Sequence, residues 1–535
     1  MCGFLSRCQA GTGLIRAGYP GWRSFRMQGI HRAGYILAAG LIVAGLVLIS
    51  GCTQQVQDST IVKTDAGSVS GINQNGIRVY LGIPFAAPPV GDLRWRPPAP
   101  VTPWEGVKAA TEYGATCPQA QKGSVPGIAT LNMSEDCLYL NVWTPATNAS
   151  ARLPVMVFFY GGGFTGVEGS MPMYNGTTLA EKGVIVITTN YRLGALGFLA
   201  HPDLDRESPY NASGNYGILD QQAALKWVQD NIAAFGGDPS RVTIFGQSAG
   251  GESVYIHLVS PGSRGLFSQA IVESGPFWAN GAIINATHPK DYAEQFGVGY
   301  AQSLGCSGPD AIACMRNLSP DALITATPSS PSEFWSTHTV MFEPNVDGWV
   351  LPDTLDNLFL THQEEPVPLM VGNNANDGTT LSADANMSVA EYRSFLASRF
   401  GSDADAVFAR YPANSTAQVQ LQLAQIMENE DFIDSVKFAA GSMSDISPDT
   451  YMYRYSYIIP GQPEGAFHGS ELVLLFGVPG INTDPAVADN VVDLWTRFAK
   501  TGNPNGGMNV TWPQYTRAGD QYLDINDTPT VMNGN

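Results

Sequence analysis

Short apolar runs alternate with a helical pattern in the middle of this chain, and the alternation leaves few folds open. LPVMVFFYGGGF (residues 153–164) and VIVITTNYR (residues 184–192) have the continuous apolar character of strands buried on both faces. LDQQAALKWVQDNIAAFGG (residues 219–237) instead spaces its apolar residues helically and ends on two glycines, as helices do.

The same pattern continues downstream. RVTIFG (241–246) predicts a third strand, AGGESVYIHLVS (249–260) a helix, SQAIVESG (268–275) a fourth strand and PVPLMVGNN (366–374) a fifth. This order predicts an α/β fold with a mostly parallel central sheet flanked by helices, whose active site lies at the carboxyl ends of the strands. Residues 279–342 and 389–447 are expected to be large insertions over the sheet, so residues 52–535 form a single domain.

The charge balance excludes one class of partner. The 535 residues have a formal net charge of −19, and 14% of them are charged, which suits a globular protein. Because a polyanion is repelled by phosphate backbones, we expect no nucleic-acid partner.

The first 51 residues differ from the rest. They contain five arginines and no acidic residue, and an apolar run from residue 33 ends in ISGC at Cys52. This predicts an export signal, with Met27 a candidate start, and the ending resembles a bacterial lipobox, in which Cys52 would be lipidated. An uncleaved membrane anchor is the alternative. Both interpretations attach the protein to a membrane of the bacterial cell envelope, on its periplasmic face or at the cell surface.

Four cysteines remain after Cys52, an even number in a protein expected to be exported. Three pairings are possible, and we favour Cys117–Cys137 with Cys306–Cys314 because neighbour pairing closes short loops. No Cys or His spacing is typical of a metal site, and neither a metal nor a cofactor is expected.

Ser248 lies in VTIFGQSAGGES (242–253), which contains G-x-S-x-G. The motif alone is weak in so glycine-rich a chain, but a strand precedes it and a helix follows it. This context predicts a nucleophile elbow, whose sharp turn requires the glycines at 246 and 250. The glycine run 161–163 ends a strand and could aim backbone N–H groups at an oxyanion, together with the N–H of Ala249.

A serine nucleophile needs a base and an acid. His468, in GAFHGSELVLLFG, follows Ser248 in the expected order and is flanked by glycines. His257 lies about 13 Å of helix rise from Ser248, so it points away. Asp377 and Asp347 both precede a glycine, and composition and spacing do not separate them as the acid.

At this point the chain resembles the type-B carboxylesterases, the cholinesterase-like branch of the α/β-hydrolase fold. The matching segments span about residues 61–515: YLGIPFAAPPVGDLRWRPP, SEDCLYLNVWTP, FFYGGGF, NYRLGALGFL, LDQQAALKWVQDNIAAFGGDPSRVTIFGQSAGGES, GAFHGSE and LWTRFAKTGNPN.

The resemblance implies a role for each matching residue. It implies Ser248 as nucleophile, His468 as base and Asp377 as acid, where the family usually has Glu. The implied oxyanion donors are Gly162, Gly163 and Ala249, and the implied disulfides are the neighbour pairs above. Gln247 stands where Glu is common.

The resemblance therefore implies a serine carboxylesterase that acts through an acyl-enzyme on a small-molecule ester. The same machinery could act on amides, carbamates or polyesters, and a non-catalytic adhesion protein is the alternative from another class, although such relatives typically lack the serine or histidine. The loop of residues 118–136 contains no aromatic residue, which disfavours a choline ester as substrate.

Overall fold

The computed structural model describes residues 60–120, 132–276, 288–326, 342–382, 386–507 and 509–534. All of them belong to one compact unit, Ser59–Asn535. The predicted export segment and Cys52 lie outside the described residues. Within the described ranges, no helix combines the length and the apolar character needed to cross a membrane.

The described chain is organised around an eleven-stranded sheet with the spatial order β16-β15-β14-β13-β10-β9-β7-β8-β6-β4-β3. The strands, in chain order, are β1 Ile61–Lys63, β2 Ser68–Ser70, β3 Ile72–Gln74, β4 Ile77–Pro84, β5 Val107–Ala109, β6 Tyr139–Thr144, β7 Leu153–Phe159, β8 Ile185–Thr189, β9 Gly237–Gln247, β10 Gln269–Glu273, β11 His288–Pro289, β12 Asn345–Val346, β13 Leu369–Asn374, β14 Thr450–Tyr455, β15 Gln521–Ile525 and β16 Thr530–Asn533.

The centre of this sheet is parallel. Seven adjacent strands, from β8 through β7, β9, β10, β13 and β14 to β15, run in one direction. The strands outside them, β6, β4 and β3 on one side and β16 on the other, pair antiparallel. The mostly parallel α/β sheet predicted from the apolar runs is confirmed, and β8 and β10 are buried along their whole length.

Two predicted boundaries were wrong by a few residues. The helix that precedes β9 begins at Tyr216 rather than at residue 219 and ends at Asn231, where a short 3₁₀ turn begins. Strand β9 begins at Gly237, because Gly237 already pairs with Leu153 of β7. Two glycines therefore end the helical segment and open the strand at the same point.

Helices cover the sheet and extend beyond it. The α-helices are Thr177–Glu181, Gly194–Phe198, Pro202–Glu207, Tyr216–Asn231, Ala249–Val259, Lys290–Ser303, Ala311–Arg316, Pro320–Thr325, Leu355–Leu360, Asp377–Leu381, Val389–Phe400, Ala404–Arg410, Thr416–Ile426, Asp434–Ile446, Ser470–Leu475 and Pro485–Thr501, with a π-helix at Met427–Ile433.

The insertion predicted at residues 389–447 is helical and has an apolar cluster of its own, separate from the main core. The other predicted insertion, residues 279–342, is described only in part. Two disulfide bonds join Cys117 to Cys137 and Cys306 to Cys314, which is the neighbour pairing expected from the sequence.

Candidate active site

Ser248 lies at the turn between β9 and the helix Ala249–Val259, with φ 60° and ψ −127°. A residue other than glycine is strained there and persists only where its surroundings hold it. The Ser248 N–H donates to the Glu273 carbonyl on β10 at 2.9 Å, and its carbonyl accepts from Glu252 N at 3.0 Å. A Cβ at Gly246 or Gly250 would collide with the backbone, as the sequence predicts for a nucleophile elbow.

The glycine run after β7 lies against this turn. A Cβ at Gly161 would lie 2.6 Å from the Gln247 carbonyl oxygen and 2.8 Å from Ser248 Cβ, so no larger residue fits. Gly162 and Gly163 have φ of 95° and 60°, the left-handed region that glycine adopts without strain. Among the described residues, no hydrogen bond uses the N–H of Gly162 or Gly163. The N–H groups of these two predicted donors therefore bond no other described residue.

His468 and Asp377 form a direct pair. The imidazole Nδ1 lies 2.7 Å from Asp377 Oδ1. Asp377 is completely buried, and its other oxygen accepts from the Asn374 N–H at 2.7 Å and from Ser274 Oγ at 3.0 Å. The shorter aspartate thus reaches the imidazole and is fixed by two further donors. With Nδ1–H donating to the carboxylate, Nε2 carries the free lone pair.

The turn that carries Asp377 is bonded to the loop that carries His468. Asn376 N donates to the Ala466 carbonyl at 3.0 Å, and Ala466 N donates back to Asn376 Oδ1 at 3.0 Å. Asn374 Nδ2 adds a bond to the Phe467 carbonyl at 2.7 Å. These bonds join the turn that carries Asp377 to the loop that carries His468. The backbone of both segments therefore helps to set the geometry of the His468–Asp377 pair.

The other imidazole nitrogen faces Gln247. His468 Nε2 lies 3.1 Å from Gln247 Nε2, so the amide donates to the same lone pair that would take a proton from Ser248. The ring of Phe432, from the π-helix in the insertion, packs 5.1 Å from the imidazole. The insertion therefore covers the His468 side of the site, as expected from the sequence.

The alternative candidates lie elsewhere. Asp347 Oδ1 accepts the N–H groups of Trp349, Val350 and Leu351, so it stabilises its own turn. His257 is buried between Ser263 Oγ at 2.8 Å and Gln221 Oε1 at 3.0 Å.

Three neighbours of the pair were missed by the sequence analysis. Ser274 and Asn374 lie at the carboxyl ends of β10 and β13, and that position was a usable signal, since side chains there converge in parallel sheets. Phe432 had none, because contacts from an insertion cannot be assigned from sequence.

Carboxyl groups near the pair are held towards the neutral form. Burial raises the pKa of Glu471 and, on β10, the pKa of Glu273. Burial also raises the pKa of Glu428 to about 7, against the opposing effect of Arg454. These shifts limit the negative charge that accumulates around Asp377. The described residues contain no cluster of His, Cys, Asp and Glu able to hold a metal ion.

A strand–serine–helix turn on a parallel sheet, with a histidine presented from a later loop, defines the class of α/β-hydrolases. Comparison with known proteins agrees. A fumonisin B1 esterase from Sphingopyxis macrogoltabida is 38% identical over 483 residues, covering 87% of this chain and 86% of that protein. A cholinesterase from Mus musculus is 33% identical over 516 residues, covering 88% and 84%.

A solved structure has the same fold. A PNB esterase superimposes with a TM-score of 0.78 at 34% identity, over 89% of this chain and 97% of that one. The model of the carboxylesterase family matches residues 58–535, and the chain belongs to this family. It is a carboxylic-ester hydrolase with the α/β-hydrolase fold.

Proposed function

We propose that this esterase works through an acyl-enzyme on Ser248, with His468 as general base and Asp377 as the acid that orients it. One observation carries the proposal, the 2.7 Å contact between His468 Nδ1 and Asp377 Oδ1 beside the strained Ser248 turn. A carboxylate on Nδ1–H fixes the tautomer whose Nε2 accepts a proton.

In acylation, Ser248 Oγ attacks the ester carbonyl while its proton passes to His468 Nε2. The Gln247 amide must release Nε2 for this step, since one lone pair cannot serve both. The carbonyl π electrons move onto oxygen, where the N–H groups of Gly162, Gly163 and Ala249 stabilise the charge. The tetrahedral intermediate then collapses, and His468 returns the proton to the departing alcohol. In deacylation, water attacks the acyl-enzyme with the same base and donors, and the acid product leaves Ser248 free.

The nucleophile is tested with a chain-length series of p-nitrophenyl esters and a fluorophosphonate probe. We expect Ser248→Ala to lose at least about 10⁴-fold in kcat and all probe labelling, because no other group supplies the acyl acceptor. Ser253→Ala serves as control, since this buried serine five residues along bonds the Ala249 carbonyl on its own helix. Retained activity in Ser248→Ala would refute the assignment.

The acid is tested by a matched pair of substitutions. Asp377→Asn is expected to lower kcat by about 10³- to 10⁴-fold, because an amide beside Nδ1 no longer fixes the correct tautomer. Asp347→Asn is the control, since an asparagine oxygen can still accept the three turn N–H groups, and its kcat should stay within about twofold. A larger loss at Asp347 than at Asp377 would reverse the assignment.

We also propose that the protein is exported and held at the bacterial cell envelope through a lipidated Cys52. The support is the basic, acid-free segment 1–51, the apolar run that ends in ISGC, and two disulfide bonds, which persist in oxidising compartments.

Expression in a bacterial host with an alkyne fatty acid tests the anchor. Wild type should incorporate the label and partition with membranes, and Cys52→Ser should do neither. If Cys52→Ser still partitions with membranes and wild type carries no label, the uncleaved anchor is correct and the lipoprotein proposal is wrong.

A further inference from the structure

The loop that carries the proposed oxyanion donors is held from outside by a side chain with no assigned role. We define the glycine loop as residues 161–167. Thr165 N donates to the Gly162 carbonyl at 3.1 Å and closes a turn. A Cβ at Gly162 would lie 2.6 Å from the Gly166 carbonyl oxygen and 2.8 Å from Val167 Cγ2. The donor end of the loop therefore rests directly on its last two residues.

Two residues of this loop are in a conformation that they do not favour. Phe164 has φ 54° and Val167 has φ 78°. Positive φ is rare for any residue with a Cβ and is an outlier for a β-branched one such as valine. Such a conformation persists only where neighbouring groups over-determine it, and strained segments of this kind cluster at active sites. The contacts of Val167 must therefore supply the restraint.

Gln119 supplies that restraint. Its Oε1 accepts from the Val167 N–H at 2.7 Å, and its Nε2 donates to the Val167 carbonyl at 2.9 Å. The carboxamide thus pairs with both polar groups of this one residue, as a neighbouring strand would. Nε2 also donates to the Cys117 carbonyl at 3.2 Å, and only 7% of Gln119 is exposed. Because both ends of the amide are bonded, its orientation is fixed.

The anchor behind Gln119 is rigid. Cys117 is bonded to Cys137, and Asn190 Nδ2 donates to the Cys137 carbonyl at 3.1 Å. Asn190 Oδ1 in turn accepts from Gly169 N at 2.9 Å, just past the glycine loop. The loop is therefore attached to the disulfide-bonded segment at two points. At one of them, Gln119 bonds Val167.

We propose that Gln119 is a positioning residue for the oxyanion donors: by bonding Val167 it holds the glycine loop where the N–H groups of Gly162 and Gly163 meet the transition state. The inference rests on the proposed function, since it requires those two N–H groups to act on an oxyanion. Gln119 itself need not touch the substrate. Its loss therefore acts on the transition state more than on ground-state binding.

The test compares Gln119→Met, which keeps the volume and removes all three hydrogen bonds, with wild type. Gln229→Met is the matched control, because the Gln229 amide also bridges two backbone carbonyls, those of Pro239 and Leu266. On p-nitrophenyl acetate we expect Gln119→Met to lower kcat by about 10- to 100-fold with KM changed by less than about twofold, the effect of a small misplacement of catalytic donors. Gln229→Met should leave kcat unchanged.

A trifluoromethyl ketone provides the readout that a merely structural role would not affect. Ser248 Oγ bonds to its carbonyl carbon, the serine proton passes to His468, and the carbonyl electrons form an oxyanion in the place of the transition state. Its inhibition constant should rise in Gln119→Met by the same factor as kcat/KM falls, while the affinity for a non-hydrolysable amide analogue stays constant.

The outcomes separate the two proposals. If the ketone inhibits wild type and Gln119→Met equally, or if Gln119→Met and Gln229→Met lose the same kcat, the role of Gln119 is overturned and the triad stands. If the ketone and the fluorophosphonate probe both fail on folded wild type, the proposed nucleophile is wrong and the Gln119 role falls with it.

Discussion

The strain at Ser248 is imposed by its immediate neighbours. A non-glycine residue at φ 60° and ψ −127° costs about 1–3 kcal/mol, and the hydrogen bond from its N–H to Glu273 offsets part of this. This chain differs from the common family pattern at the residue before Ser248. Gln247 is buried and contacts the imidazole nitrogen that takes the serine proton in the proposed mechanism. An amide there is neutral at every pH, so it does not attract a proton to the histidine.

Gln247→Glu should therefore change the pH profile. A carboxylate within 4 Å of the imidazole favours the imidazolium, which cannot act as a base, so the acid limb of kcat/KM should move up by about one pH unit or more. The measurement is kcat/KM for a p-nitrophenyl ester between pH 5 and 9. Gln229→Glu, a new carboxylate on the helix Tyr216–Asn231, is the control. An acid limb that is the same in all three proteins would show that the Gln247 contact is absent in solution.

At the scale of elements, the sequence predicted five neighbouring strands in the parallel part of the sheet but not β14, which is also largely buried. Strands β7, β8, β9, β10 and β13 each contain a continuous apolar run that the sequence pattern identifies. The short outer strands were not predicted from the sequence. In β3 (INQ) and β16 (TVMN) most residues are exposed, so no periodic apolar signal marks them.

The residues of the site can also be separated into those that local sequence motifs predict and those that they do not. Ser248, His468 and the glycine run have local motifs, and their positions follow from strand order. The choice of Asp377 over Asp347 needed the family resemblance, because both look like turn aspartates and only the tertiary structure brings Asp377 to the imidazole. The Gln119–Val167 pairing spans 48 residues and carries no local pattern at all.

The two disulfides should contribute similarly to the stability of the fold but differently to kcat. They close 20- and 8-residue separations, so by chain entropy each contributes about 2–3 kcal/mol. Only Cys117–Cys137 supports Gln119 and the glycine loop. We therefore expect Cys117→Ser/Cys137→Ser to lower kcat several-fold, and Cys306→Ser/Cys314→Ser to leave kcat unchanged. Urea unfolding and steady-state kinetics at 25 °C measure both effects. Equal loss of kcat in the two variants would contradict the coupling.

For the whole molecule, the dominant electrostatic feature is acidity combined with buried titratable groups. The formal charge is −19, yet burial holds the pKa of Glu252 and Glu273 well above the ordinary value, so these two groups favour the neutral form. Each such carboxyl makes the fold less stable as pH rises above its unfolded pKa, because ionisation is easier in the unfolded chain. The opposite dependence comes from a buried histidine.

His257 should make the protein sensitive to mild acid. Burial lowers its pKa from 6.5 to about 3, and Ser263 and Gln221 bond the neutral ring. Between pH 6.5 and 3 the unfolded chain binds a proton that the folded protein does not, so this contribution is complete above pH 6.5 and is lost as pH falls. From pH 7 to 5 the loss is about 2 kcal/mol.

The variant His257→Gln isolates this effect, because glutamine is neutral throughout and can still donate to Gln221 Oε1. All other titrating groups are common to both proteins and cancel in the comparison. Urea unfolding at pH 7 and pH 5 should show wild type losing about 2 kcal/mol more than the variant over this interval. A difference near zero would mean that His257 gains its proton inside the fold, and that the hydrogen bonds to Ser263 and Gln221 do not hold the ring neutral.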